Sequence, residues 1–112
     1  MYICIMQKEL LKGTLKTIIL HLLENEGRMY GYEITQKVKE LSKDKILLTE
    51  GALYPTLHKL EAEGLVVTDK IFIGKRVRKY YALTPKGSEV TSSKIMEITA
   101  FFGMMRGLLG VK

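Results

Sequence analysis

A chain of 112 residues, 46% of them apolar, has room for one core and none for a second, catalytic domain. Its net charge of +6, from 18 Lys and Arg against 12 Asp and Glu, favours an acidic partner such as nucleic acid or a membrane surface. A single cysteine, Cys4, excludes an intrachain disulfide, and the distant His21 and His58 offer no ligand cluster for a metal, so no cofactor and a reducing, cytoplasmic setting are expected.

The opening MYICIM lacks a basic leader and is shorter than a secretory apolar region, so no signal peptide is expected, and Met6 is an alternative start to Met1. From Lys8 to Asn25, Leu11, Leu15, Ile18 and Leu22 recur at helical spacing, widened by Leu10, Ile19 and Leu23, which predicts an amphipathic helix stopped by Gly27. After a turn holding Arg28, Met29 and Tyr30, a second helix is expected from Gly31, with Ile34, Val38 and Leu41 on one side and a polar exit at Ser42 to Lys45.

Thr49 to Glu63 repeats the pattern with Leu53, Leu57 and Leu60. Gly64 then suits a left-handed stop that brings Leu65 onto Leu60. Pro55 would remove a hydrogen bond beyond the first turn, so this helix is expected to start later than Thr49 or to bend. VVTDKIFI and VRKYYAL, rich in β-branched and aromatic residues with Gly74 between them, read as a β-hairpin. Thr84 as N-cap and Pro85 at the first helical position open a last helix with Ile95, Ile98, Phe102, Met105 and Leu109 on one stripe. Ile98 to Val111 is only fourteen residues long and contains Arg106, short of the ~20 that span a bilayer, so no membrane partner is expected.

Three short helices, a hairpin and a final helix make a mainly α (α+β) chain. The order is that of a winged helix-turn-helix, whose third helix enters the major groove of DNA while the hairpin wing reaches flanking backbone. Residues 1–84 are assigned to the winged-helix DNA-binding domain and 85–112 to a C-terminal dimerisation helix. Positive charge is greatest over residues 65–84, where five cations face one acid, Asp69. Lys75, Arg76, Arg78 and Lys79 at the wing repel one another in the isolated protein, and phosphates would relieve this. A merely solvated hairpin is the plain alternative. With Leu53, Leu57 and Leu60 turned to the core, Thr49, Ala52, Tyr54, Thr56 and Lys59 are left on flanking or outer faces with His58 near them, a surface suited to base edges and phosphates to which Pro55 is also assigned. Tyr30 and Tyr32 suit either the core, with wet hydroxyls, or phosphate contact. Glu61 and Glu63 are expected to point off the DNA, whereas Glu50 has no evident purpose.

The segments ELLKGTL (Glu9 to Leu15), MYGYEI (Met29 to Ile34), GALYPTLHKLEAEGLV (Gly51 to Val66) and RKYYALTPKG (Arg78 to Gly87) occur in an order and spacing that resembles the PadR-like transcriptional regulators. The resemblance implies a dimeric repressor that binds a palindromic promoter site and leaves it on meeting a small effector, and it implies tolerance of Pro55 in the recognition helix. The single helix after the wing is similar to a short branch that includes multidrug sensors, some of which stack flat drugs between tryptophans at the dimer interface. This chain has no Trp, and Phe101 and Phe102 are the nearest substitutes.

The last helix has two readings: it packs back on the first helix of its own chain, or it pairs with a second copy across a two-fold axis. The second is favoured. Ile95, Ile98, Phe101, Phe102, Met105 and Leu109 would then form a dimer interface, with Met104 at its edge, adaptable enough to take a hydrophobic or aromatic small-molecule effector. No nucleophile, paired carboxylate or phosphate loop stands at usable spacing for an enzyme. The rival to DNA binding is a winged-helix protein-protein interaction module without direct DNA contact, against which the basic wing argues.

Overall fold

A computed structural model describes Leu11 and residues 13–112. Helix α1 spans Leu15–Glu26, a two-residue strand β1 spans Met29–Tyr30, α2 spans Gly31–Leu41 and α3 spans Glu50–Ala62. Strands β2, Val66–Ile73, and β3, Arg76–Leu83, form the wing, and α4 spans Pro85–Leu109. This is the expected α+β winged helix-turn-helix. One strand was not foreseen: β1, expected as part of a turn, pairs antiparallel with β3 through Met29 to Tyr81 and Tyr30 to Tyr80, giving a sheet of order β1-β3-β2.

The predicted first helix is interrupted after Leu11, which is itself helical. Gly13 and Thr14 lie in a turn in which the Thr14 hydroxyl donates to the Leu11 carbonyl, and helical structure resumes at Leu15. Glycine's poor helix propensity accounts for the break. Lys8 to Leu10 and Lys12 lie outside the described residues, as do Met1, Cys4 and Met6. Leu15, Ile19, Leu20, Leu22 and Leu23 of α1 meet Ile34, Val38, Leu53, Leu57, Leu60, Leu65, Val66 and Tyr81 in one core. Leu41, expected on the buried side of α2, is 62% exposed because the helix ends there. The chain then turns away through Lys43 and Asp44, both at positive φ.

Helix α3 does not start late and continues through Pro55. Thr49 is its N-cap, its hydroxyl oxygen accepting from the Ala52 N–H at 3.2 Å, and Pro55 sits inside the helix. The hydrogen bond that proline removes would have ended on the carbonyl of Gly51, an exposed residue with no side chain to keep water away. The far end closes as its sequence predicts. Gly64, at φ 76°, donates to Glu61 and Leu65 donates to Leu60 at 2.9 Å, the paired bonds of a Schellman stop.

The wing turns through Gly74 and Lys75 between the paired Ile73 and Arg76, and only Gly74 has positive φ, as a type II′ hairpin requires. Thr84 then caps α4, accepting from the Gly87 N–H at 3.0 Å while donating to the Gly64 carbonyl at 2.7 Å. The first turns of α4 pack on α1: Gly87 and Thr91 are buried, and the Ser88 hydroxyl reaches the Glu24 carboxylate at 2.9 Å. A Cβ on Gly87 would collide with the Leu65 carbonyl oxygen. Beyond Lys94 the helix leaves the core behind.

Candidate nucleic-acid interface

Alternation along β3 puts Arg76, Arg78 and Tyr80 on one face of the wing and Val77, Lys79 and Tyr81 on the other. The four expected wing cations therefore leave the strand in different directions, although Arg76, Arg78 and Lys79 all line one cleft. Lys75 stands in the exposed turn, Arg76 is exposed beside it, Arg78 is half-buried on the outer face, and Lys79 is half-buried on the side that continues from the core. The Lys79 ammonium lies 5.5 Å from the Tyr81 ring centroid. Neighbouring charges thus reach in different directions, which lowers their mutual repulsion.

The outer face interleaves cations with tyrosines. The Arg78 guanidinium lies 4.1 Å from the centroid of Tyr30, and Arg28 lies 4.8 Å from that of Tyr80. Tyr30 and Tyr80 meet edge to face at 5.4 Å, and Tyr32 stacks on Tyr30 at 6.5 Å. The Arg28 guanidinium is also paired with Asp69 at 3.0 Å. The Tyr80 side chain, with help from Tyr30 and Glu33, pushes the Arg78 pKa still higher, so its charge is permanent. Sequence reasoning named Arg78 and Tyr32 but missed Arg28 and Tyr80. The period-2 alternation of Arg76, Arg78 and Tyr80 carried the signal for Tyr80.

Between the wing, the start of α2 and the first turns of α3 lies an open cleft of about 620 Å³, lined by Tyr30, Gly31, Glu50, Tyr54, Arg76 and Arg78 among others. Tyr54 is half-buried against the core, and its ring passes so close to Gly31 that a Cβ there would stand 2.8 Å from the ring's Cζ and nearer still to the hydroxyl. Burial, and then the Glu50 carboxylate, raise the Tyr54 pKa, so the hydroxyl remains a neutral donor. Burial likewise raises that of Tyr81, helped by Glu61. The Glu33 carboxylate accepts from the Tyr30 N–H at 3.1 Å, tying the start of α2 to the tyrosine cluster.

The outer face of α3 carries Pro55, His58 and Lys59, all exposed, with Thr49 exposed at its start. Thr56 is half-buried and returns its hydroxyl to the Ala52 carbonyl at 3.1 Å. The helix therefore shows a surface of small and polar groups next to the basic cleft, an arrangement able to take the edge of a base pair and its flanking phosphates. Among the described residues no group of His, Cys, Asp and Glu could hold a metal, and no helix is long and apolar enough to cross a membrane.

Far from this surface, α4 carries Ile95, Phe101, Phe102 and Leu109 exposed, and Ile98 and Met105 partly covered. Phe101 and Phe102 have ring centroids 6.3 Å apart. Met96, Met104 and Leu108 are exposed as well.

Comparison with known proteins agrees with this architecture. A transcriptional regulator of Mycobacterium tuberculosis is 41% identical over 70 residues, spanning 62% of this chain and 61% of that relative, less than two thirds of its length. The crystal structure of a PadR family transcriptional regulator from Eggerthella lenta superposes with a TM-score of 0.84 at 27% identity, covering 96% of this chain and 91% of that one. The structure of Bacillus subtilis PadR in complex with operator DNA matches at a TM-score of 0.66 and 31% identity, over 73% of this chain and 45% of that protein. Residues 19–93 match the model of the transcriptional regulator PadR-like family, and the chain belongs to that family.

Proposed function

We propose that this regulator binds double-stranded DNA sequence-specifically in the cytoplasm as a homodimeric repressor of a palindromic operator, and that a small hydrophobic or aromatic effector releases it. The observation that carries the reading is the juxtaposition at the cleft: the polar outer face of α3 stands beside a wing bearing Lys75, Arg76, Arg78 and Lys79. A helix in the major groove with a wing over the adjoining backbone uses both at once. The related Bacillus subtilis PadR, solved on operator DNA, supports the same use here. Tyr32, Thr49, Tyr54, Pro55, Thr56, His58 and Lys59 are assigned to this surface with the four wing cations.

Dimerisation is assigned to α4, through Ile95, Ile98, Phe101, Phe102, Met105 and Leu109. A helix of 25 residues is about 37 Å long, and its first turns are tied to α1 through Ser88 and Glu24. A second copy laid on the remainder would cover the apolar arc and set two recognition helices a DNA turn apart, ~34 Å. Phe101, Phe102 and Met105 at that seam would contact the effector. The deciding experiment is to sequence genomic fragments retained by the purified protein and to titrate them at several salt concentrations. Enrichment of one palindromic motif supports the reading. Retention of no fragment above background would overturn it and favour a protein-binding wing.

A further inference from the structure

Glu50 opposes phosphate from within the surface assigned to DNA. It is the first residue of α3 and lies on the wall of the cleft that Arg76, Arg78 and Lys79 also line. Among the described residues its carboxylate makes neither an ion pair nor a hydrogen bond, although three cations share that cleft. An acidic residue in a first turn is favoured by the helix dipole wherever it points, and that contribution is independent of DNA. Dipole stabilisation leaves the position of Glu50 in the cleft without a use.

The neighbours of Glu50 make room for it. Thr49 has its hydroxyl oxygen engaged as N-cap, and the exposed Gly51 and Ala52 offer no more than a methyl group. At the end of the helix that docks on bases, Glu50 therefore has the first long side chain available. A carboxylate there is repelled by phosphates and by the acceptor atoms of guanine and thymine. The major groove offers it two donors, the amines of cytosine and adenine, and in adenine the amine lies beside the N7 lone pair, which repels a second oxygen. On its own ring cytosine has only a C–H beside the amine, and the nearest acceptor is the O6 of the paired guanine.

Resting on the DNA-binding reading above, we propose that Glu50 is a specificity-determining residue whose carboxylate accepts a hydrogen bond from the N4 amine of a cytosine in the operator. The test is selection from a random double-stranded library with the full chain, Glu50→Ala and Glu50→Gln, each checked for an unchanged melting curve. The wild type is expected to fix cytosine at one position and to discriminate there by roughly tenfold or more. Glu50→Ala should select the same motif with that position open, and should bind unrelated DNA more tightly because a repulsive charge is gone. An unchanged motif in Glu50→Ala, or a position that opens at a base other than cytosine, overturns the assignment. If the wild type enriches no motif at all, the DNA-binding reading itself falls, an outcome distinct from losing Glu50's role alone.

Discussion

The hydroxyl of Tyr54 occupies the space that a Cβ on residue 31 would need, so the ring of the third helix is seated on the glycine that opens the second. Alanine at position 31 gains helix propensity, about 0.5 to 1 kcal/mol, and forces an overlap that costs about 1 to 3 kcal/mol in packed sites. Gly31→Ala is therefore expected to lower stability by about 1 kcal/mol and to displace Tyr54 from the cleft, reducing DNA affinity. In a Tyr54→Ala background the same change should be neutral or stabilising. Chemical denaturation of the four proteins measures the coupling, and additive effects would contradict the seating.

Gly87 makes the corresponding approach between α4 and the α3 to β2 connection. A Cβ would strike the Leu65 carbonyl oxygen, which accepts from the Thr84 N–H at 3.0 Å and has little freedom to move. The Leu83 side chain is 3.0 Å away on another side. Gly87→Ala is expected to cost at least about 2 kcal/mol despite its better helix propensity, read as a lower denaturation midpoint. A midpoint at or above wild type would show that the helix can shift as a body.

The ends of these elements were legible because their signals are local. Thr84 and Pro85, Gly74, and the set Leu60, Gly64 and Leu65 each act within a few residues, and each takes its expected conformation. The strand β1 was not legible, since two residues carry no periodicity and their pairing with Tyr80 and Tyr81 joins distant parts of the chain. Leu41 misled because it keeps the spacing of Ile34 and Val38 one step past the packed surface. In the site, the residue types were readable and their directions were not. The alternation of a strand separates Arg78 from Lys79, and Tyr54 faces the cleft only because Gly31 admits it.

Arg76 and Arg78 share a wing face, and removing both tests whether that face touches phosphate. Arg76→Ala with Arg78→Ala is expected to weaken binding to cognate and unrelated DNA by similar factors, because phosphate contacts carry no sequence information. The slope of log affinity against log salt should fall by about 0.9 for each phosphate no longer neutralised, or roughly 3 to 4 for a dimer in which each subunit releases two. An unchanged slope would remove the wing from the interface.

Glu63 at the end of α3 is joined to Lys16 of α1, and the Lys16 hydrogen bond holds its carboxyl below the usual carboxylate range. A lowered folded-state pKa means stability that is present above the unfolded value, about 4.3, and lost as pH falls through the folded value. Both side chains are at least one third exposed, so solvent screening limits the pair to at most about 1 kcal/mol. Glu63→Gln should be slightly less stable than wild type at pH 7, and the two should converge as pH falls through the lowered folded-state value. Denaturation midpoints across that range decide it, and a difference that persists in acid would assign the effect to packing.

Helix α4 changes character along its length, and that change locates the proposed dimer seam. Its first turns are held by Thr84, by Ser88 on Glu24 and by the burial of Gly87 and Thr91. From Ile95 onward most apolar side chains meet solvent, with Leu109 66% exposed and Phe102 52%, while Ile98 and Met105 are partly covered. The proposed second copy would cover this arc. Ile98→Asp with Phe102→Asp puts two charges on the arc beyond the buried Gly87 and Thr91, so it should leave the winged domain folded while abolishing self-association at micromolar concentration. Affinity for a palindromic site should fall to that of a half-site. Truncation after Thr91 removes the same surface without adding charge and should give the same monomer. Sedimentation measures both variants. A dimer that survives both changes and still binds the palindrome tightly would move the interface, and the effector site proposed within it, to another part of the protein.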